Sequence, residues 1–178
     1  MNAAALFLRA DQAERRLCLL VNAAAHRRRV RAFFCGVSRL GDGAVWYALM
    51  AMMPLWLGWT QGLRAASHML LVGAIGLVLY KFLKRTLVRE RPFIGLVGIE
   101  CAMPPLDRYS FPSGHTLHAV AFTIVATGFV PVLAWVLVPF TLLVAASRVV
   151  LGLHYPSDVL VGALLGAALA VGSFALLP

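Results

Sequence analysis

The sequence predicts an all-α integral membrane protein, with about five transmembrane helices in a bundle and amphipathic interfacial helices ahead of them. Two observations carry this. Hydrophobic residues make up 61% of the 178 residues, where soluble domains hold roughly 45–50%, and mean hydropathy is +0.85. The formal net charge is +9, but most Arg and Lys lie before residue 40 or between 81 and 108, flanking apolar runs. That placement suits an anionic membrane surface or an anionic substrate better than nucleic acid. The length suits one domain.

Residues 3–25 carry apolar positions at Leu6, Ala10, Ala13, Leu17, Leu20, Val21 and Ala24. This is helical spacing with a charged opposite face. Val30, Phe33, Phe34, Val37 and Leu40 repeat the pattern beside Arg27, Arg28, Arg29 and Arg31. Both segments read as interfacial helices, because their charges are too many for buried spans. Charged residues break the only N-terminal apolar run, which argues against a signal peptide. Residues 1–42 therefore form an interfacial region and residues 43–178 the membrane domain.

Expected spans are 44–60, interrupted by Pro54, then 66–83. Residues 84–113 are polar and contain Pro92, Pro104 and Pro105, so they read as a loop. The run 115–147 is too long for one span, and Gly128 and Pro131 supply a turn for a tight hairpin of two. Residues 158–176 form the last span. Its Gly162, Gly166 and Ala170 make a small-residue face that either packs closely on a neighbour or faces lipid. Five spans put the loop 84–113, the link 148–157 and the N-terminal region on one side. Cys18, Cys35 and Cys101 show no metal or redox spacing and read as apolar fillers.

Three short pieces share that side. In KRTLVRERP, Lys84, Arg91 and Pro92 end a span, as basic stops often do. In FPSGHTLH, Pro112 and Ser113 start a helix, Gly114 permits close backbone approach, and His115 sits in the first turn. Free amides at such a helix start favour an anion. In SRVVLGLHYPSD, Arg148, His154 and Asp158 stand at the membrane edge, where they are costly unless paired or functional. Pairing of Arg148 with Asp158 would be the purely structural explanation. Together the pieces collect three cations, a hydroxyl and a helix N-terminus for a multiply charged oxyanion. Two histidines suit nucleophilic and acid–base work, and Asp158 can fix the tautomer of one.

Lys84-x6-Arg91-Pro92, Pro112-Ser113-Gly114-His115 and Ser147-Arg148-x5-His154-x3-Asp158 resemble the three-part signature of the type 2 phosphatidic acid phosphatase superfamily, which also holds vanadium haloperoxidases and bacterial acid phosphatases. The ordered set spans residues 84–158 without departure. Many relatives have six spans; here interfacial helices are expected to stand in for the first. The resemblance implies a lipid phosphate phosphatase that needs no metal or other cofactor. No carboxylate cluster suited to Mg²⁺ or Zn²⁺ stands in the sequence. His154 would attack phosphorus and Asp158 would orient its ring. His115 would protonate the leaving oxygen and then activate water. Lys84, Arg91 and Arg148, with Ser113 and the Gly114 amide, would cradle the phosphate oxygens.

Among the other polar residues, Asp42 reads as an N-cap and His118 as a neighbour of the site. His26 and His68 read as solvated or interfacial. Asp107, Arg108 and Tyr109 border the site, and Arg85 and Arg89 read as facing anionic lipid. Candidate substrates are phosphatidylglycerophosphate, phosphatidic acid and prenyl mono- or diphosphates. Arg64 is the only basic residue expected in far-side loops, so the positive-inside rule puts the site at the cytoplasmic face of a bacterial inner membrane. An outer-face undecaprenyl diphosphate phosphatase is the alternative within the family. An anion channel is the alternative outside it, though it leaves the His154–Asp158 spacing unexplained.

Overall fold

The computed structural model describes the backbone of residues 3–176 and the side chains of residues 8–176. The side chain of Leu6, expected on the apolar face of the first helix, lies outside the described residues. The fold is a bundle of helices, with no strand among the described residues. Helices α1 (Ala3–Asn22) and α2 (Arg28–Arg39) lead through a kinked turn at residues 40–44 into α3 (Val45–Leu57). Then follow α4 (Trp59–Thr86), the single turn α5 (Pro92–Gly95), α6 (Gly114–Phe129), α7 (Ala134–Val150) and α8 (Pro156–Leu176).

Three stretches are long and apolar enough to cross a membrane: Trp59–Thr86, Pro131–Val150 and Pro156–Leu176. Helix α3 has 13 residues and α6 has 16. At 1.5 Å per residue each is shorter than a hydrocarbon core of about 30 Å. The expected hairpin in 115–147 is present, turning at Val130 and Pro131. The expected span 44–60 ends earlier, and not at Pro54, which lies inside α3. Gly58 ends it, with φ +79°, a conformation that costs glycine little and other residues much. At this turn α3 and α4 meet backbone to backbone: a Cβ on Gly62 would overlap Pro54.

Without a hydrophobic force between helices in lipid, close packing and interhelical hydrogen bonds hold a bundle together. Helices α6 and α8 pack most intimately. A Cβ on Gly162 would lie 2.5 Å from the Ser113 carbonyl oxygen, and one on Gly166 would overlap the Leu117 carbonyl. The small-residue stripe therefore faces a helix, not lipid. Thr123 and Thr141 bond across α6 and α7 at 2.6 Å. His68, expected at the surface, is buried against Phe129 and Phe174 and bonds Ser173 at 2.7 Å. A core of Trp46, Met50, Met69, Phe122, Val125 and Val144 fills the bundle.

A smaller cluster of Ala25, Ala102, Val150, Leu151 and Leu153, with Val30 and Phe34, sits where the N-terminal helices meet the two loops. Asn22 clamps this end, donating to the Glu100 and Val150 carbonyls at 3.0 and 2.9 Å. Leu17 and Leu20 on the outer face of α1 stay exposed. The N-terminal helices, the loop 87–113 and the link 151–155 thus share one end of the bundle, as the sequence implies.

Candidate active site

At that end a cavity of about 350 Å³ receives Lys84 from α4, Arg91 from the loop, Gly114 and His115 from α6, Arg148 from α7 and His154 from the link. Arg91 is almost wholly buried, and each of its three guanidinium nitrogens has a protein partner. Nη1 donates to the Leu153 carbonyl at 2.7 Å and lies 3.4 Å from His154 Nε2. Nη2 donates to Asp107 at 2.8 Å. Lys84 Nζ donates to the same Asp107 oxygen at 2.6 Å and to the Tyr109 carbonyl at 2.8 Å. Burial alone would raise the Asp107 pKa, but Lys84 and Arg91 hold it below the usual carboxylate range. Arg148 is buried and donates through Nη1 to Ser38, while its Nε has no protein partner.

The geometry selects a tautomer for His154. A guanidinium can only donate, so the Nε2 beside Arg91 presents its lone pair and the proton sits on Nδ1. Nδ1 faces Asp158 Oδ2 at 3.6 Å, close enough for charge attraction but beyond hydrogen-bond length. Burial, then Arg148, Arg91 and Lys84, push the His154 pKa well below its ordinary value. Both effects favour the neutral ring, with the Nε2 lone pair beside Arg91 at the cavity wall. His115 Nε2 lies 3.3 Å from Asp42 Oδ1.

Behind His154, Asp158 is fully buried at the start of α8. Its Oδ2 accepts the Tyr155 amide at 2.9 Å and its Oδ1 accepts Arg89 Nη1 at 2.7 Å. Beyond Arg89 stands Glu14 of α1, which accepts Arg89 Nη2 and the Ser157 amide, each at 2.8 Å. Cys18, one turn on from Glu14, is buried beside this group. Burial, then Glu14 and Asp158, push its pKa up to about 12, which makes it an inert filler.

All eight residues singled out from the sequence converge here. Six of them line the cavity, while Ser113 and Asp158 stand one layer back. The Ser113 hydroxyl is 2.9 Å from that of Thr116, and its amide donates to the Asp158 carbonyl at 3.0 Å. Arg148 does not pair with Asp158; its polar contact is Ser38. Three expectations change, while His118 lines the cavity as the expected neighbour of the site. Asp42 caps no helix and turns to His115, because the chain kinks at residues 40–44. Asp107 bridges two cations instead of merely bordering the site. Arg89 turns inward to Glu14 and Asp158, away from lipid. His118 bridges helices, with Nδ1 2.8 Å from the Gly114 carbonyl and Nε2 3.1 Å from that of Gly73. The single acid Glu14, on the polar side of an amphipathic helix, gave no sequence signal.

From the charged end the cavity runs down between α3 and α4, past Trp46, Tyr47 and Met50 on one side and Leu70, Ala74 and Leu77 on the other. Tyr47 and Leu70 are well exposed, so this apolar cleft opens laterally. A family model described as the PAP2 superfamily matches residues 62–178. The chain belongs to the PAP2 superfamily. Helices α1 to α3 lie outside the matched residues. Among PAP2 relatives, undecaprenyl-diphosphatase BcrC of Bacillus subtilis is 35% identical over 64% of this chain and 58% of its own. The chain thus matches less than two thirds of that relative's length. Decaprenylphosphoryl-5-phosphoribose phosphatase of Mycobacterium tuberculosis is 34% identical over 74% of this chain and 72% of its own. The crystal structure of Aquifex aeolicus LpxE superposes with a TM-score of 0.75 at 26% identity, covering 90% of this chain and 93% of that one. A transmembrane PAP2-type phosphatidylglycerolphosphate phosphatase from Bacillus subtilis shares the fold, with a TM-score of 0.75 at 22% identity over 94% and 85% of the two chains.

Proposed function

We propose that the protein is a membrane lipid phosphate phosphatase working through a phosphohistidine. The observation that carries this is the single cavity, in which a cation and histidine end continues into an apolar cleft open between α3 and α4. A lipid phosphate presents those two chemistries together. His154 Nε2 attacks phosphorus and His115 protonates the departing oxygen. His115 then takes a proton from the water that attacks the phosphohistidine, releasing inorganic phosphate and restoring His154. Asp158 keeps the Nδ1 proton of His154 in place and stabilises the charge that develops on the ring. Lys84, Arg91 and Arg148 balance the equatorial oxygens, assisted by the Gly114 amide and, one layer back, by Ser113. Asp42 holds the His115 ring so that its other nitrogen faces the leaving group.

The test is phosphate release by the purified protein in detergent and EDTA, comparing phosphatidylglycerophosphate with undecaprenyl diphosphate. Release from one or both, unchanged by EDTA, is the expected result. Phosphate release that stops with EDTA and returns with Mg²⁺ would sink the metal-independent mechanism. Similarity to BcrC favours the diphosphate as the second substrate to try.

For the membrane arrangement, the proposal keeps five spans within residues 43–178, with residues 1–42 as interfacial helices in a bacterial inner membrane. Arg64 stands exposed in the second turn of α4, near the end away from the site, while the other basic residues gather toward the site end. The positive-inside rule then makes the site face cytoplasmic. Arg28→Cys, in a variant lacking the native cysteines, should escape a membrane-impermeant maleimide added to intact cells. Labelling from outside would place the site on the outer face.

A further inference from the structure

We propose that Glu14 and Arg89 are positioning residues for Asp158, and through it for His154, so that helix α1 completes the active site. This rests on the phosphohistidine reading. Neither residue is a signature position: Arg89 is one of the six unspecified residues between Lys84 and Arg91, and Glu14 lies outside the residues that match the family.

The geometry forms a closed loop. Arg89 Nη1 reaches both Asp158 Oδ1 and the Ser157 hydroxyl at 2.7 Å. Its Nη2 reaches Glu14 Oε2 at 2.8 Å, and the other Glu14 oxygen takes the Ser157 amide at 2.8 Å. The guanidinium lies 4.0 Å from the centroid of the Tyr155 ring. Arg89 is thus held at both edges and on one face. A long side chain otherwise free to rotate is fixed where a carboxylate can rely on it.

Asp158 needs such a partner. A fully buried carboxylate is stable as an anion only when paired and hydrogen-bonded. Among the described residues Arg89 is the one cation in an ion pair with it, apart from the histidine it faces. The groups around Asp158 are Arg89, His154, Ser110, Cys18 and, across Arg89, Glu14. Lys84, Arg91 and Arg148 are turned to the cavity side. Arg89 also orients the carboxylate: with Oδ1 on Arg89, Oδ2 is left for the Tyr155 amide and His154. Helix α1 presents Glu14, Cys18 and Asn22 inward at one-turn intervals, and Asn22 anchors its far end to Val150 at the end of α7, four residues before His154.

The experiment uses the full chain in detergent with whichever lipid phosphate the wild type hydrolyses, and compares Glu14→Gln, Arg89→Gln, Arg89→Lys and His154→Ala. Expected losses in kcat are about 10-fold for Glu14→Gln and about 100-fold for Arg89→Gln, with KM within about twofold and partial rescue by Arg89→Lys. A buried carboxylate stripped of its cation holds its proton more tightly. The acid limb of kcat should therefore move to higher pH in Arg89→Gln. Thermal midpoints measured alongside separate folding from positioning, and Glu14→Gln and Arg89→Lys serve if Arg89→Gln does not fold. An inactive His154→Ala, with kcat falling only in step with the folded fraction and the acid limb unmoved, overturns positioning and leaves the phosphatase reading standing. Activity retained in His154→Ala overturns both.

Discussion

His154→Ala should lose phosphate release by about 10⁴-fold or more, because it removes the atom that bonds to phosphorus in the proposed mechanism. His154 stands at the cavity wall with Nε2 3.4 Å from Arg91 Nη1. No neighbouring group at the same place can substitute for it. The wild type, quenched with a ³²P-labelled lipid substrate, should carry label that survives alkali and is lost in acid, as phosphohistidine does. The variant should carry none. Asp42→Asn should be much milder, lowering kcat about tenfold with KM unchanged, since it acts only through the His115 ring. Release that persists in His154→Ala, or label bound to another residue, would mean the nucleophile is elsewhere.

Gly162→Leu should have a large effect on stability, and one that reaches the active site. Overpacking commonly costs about 1–3 kcal/mol. Here the new Cβ would stand 2.5 Å from a backbone carbonyl, that of Ser113. That carbonyl cannot easily retreat, because the Ser113 amide is bonded to Asp158 and its oxygen accepts the Leu117 amide. A loss of about 3 kcal/mol or more is expected, with activity lost as well, because the displaced turn carries Gly114 and His115. Gly172→Leu is the control: a Cβ there meets nothing within 4 Å. Thermal unfolding in detergent should show a lower midpoint for Gly162→Leu and no change for Gly172→Leu. Equal midpoints would mean α8 does not approach α6 as closely as the structure has it.

Much of this was legible in the residues themselves. Composition alone implied a membrane bundle, since a chain with 61% hydrophobic residues has too little polar surface for a soluble domain. Arg91, His115 and His154 stood out because ionisable groups at the edges of apolar runs are costly without a task. Other features could not be read along the chain. Pro54 looked like the break in the first span, yet Gly58 is the turn. Membrane helices tolerate an internal proline because neighbouring groups re-satisfy the freed backbone, whereas only the backbone conformation shows where the chain reverses. His68 looked interfacial, but its Ser173 partner lies 105 residues away.

Sequence by itself determined the fold class, the family and the eight residues that gather at one end, because hydrophobicity and motif spacing are properties of the chain. Tertiary structure alone decided which charges meet. Asp107 lies on Lys84 and Arg91, Asp42 faces His115, and Glu14 reaches Asp158 through Arg89. Each of these contacts joins residues at least 16 positions apart. An ion pair needs its N and O atoms within about 4 Å, so partners are chosen by where the helices and loops place them and leave no local pattern to read.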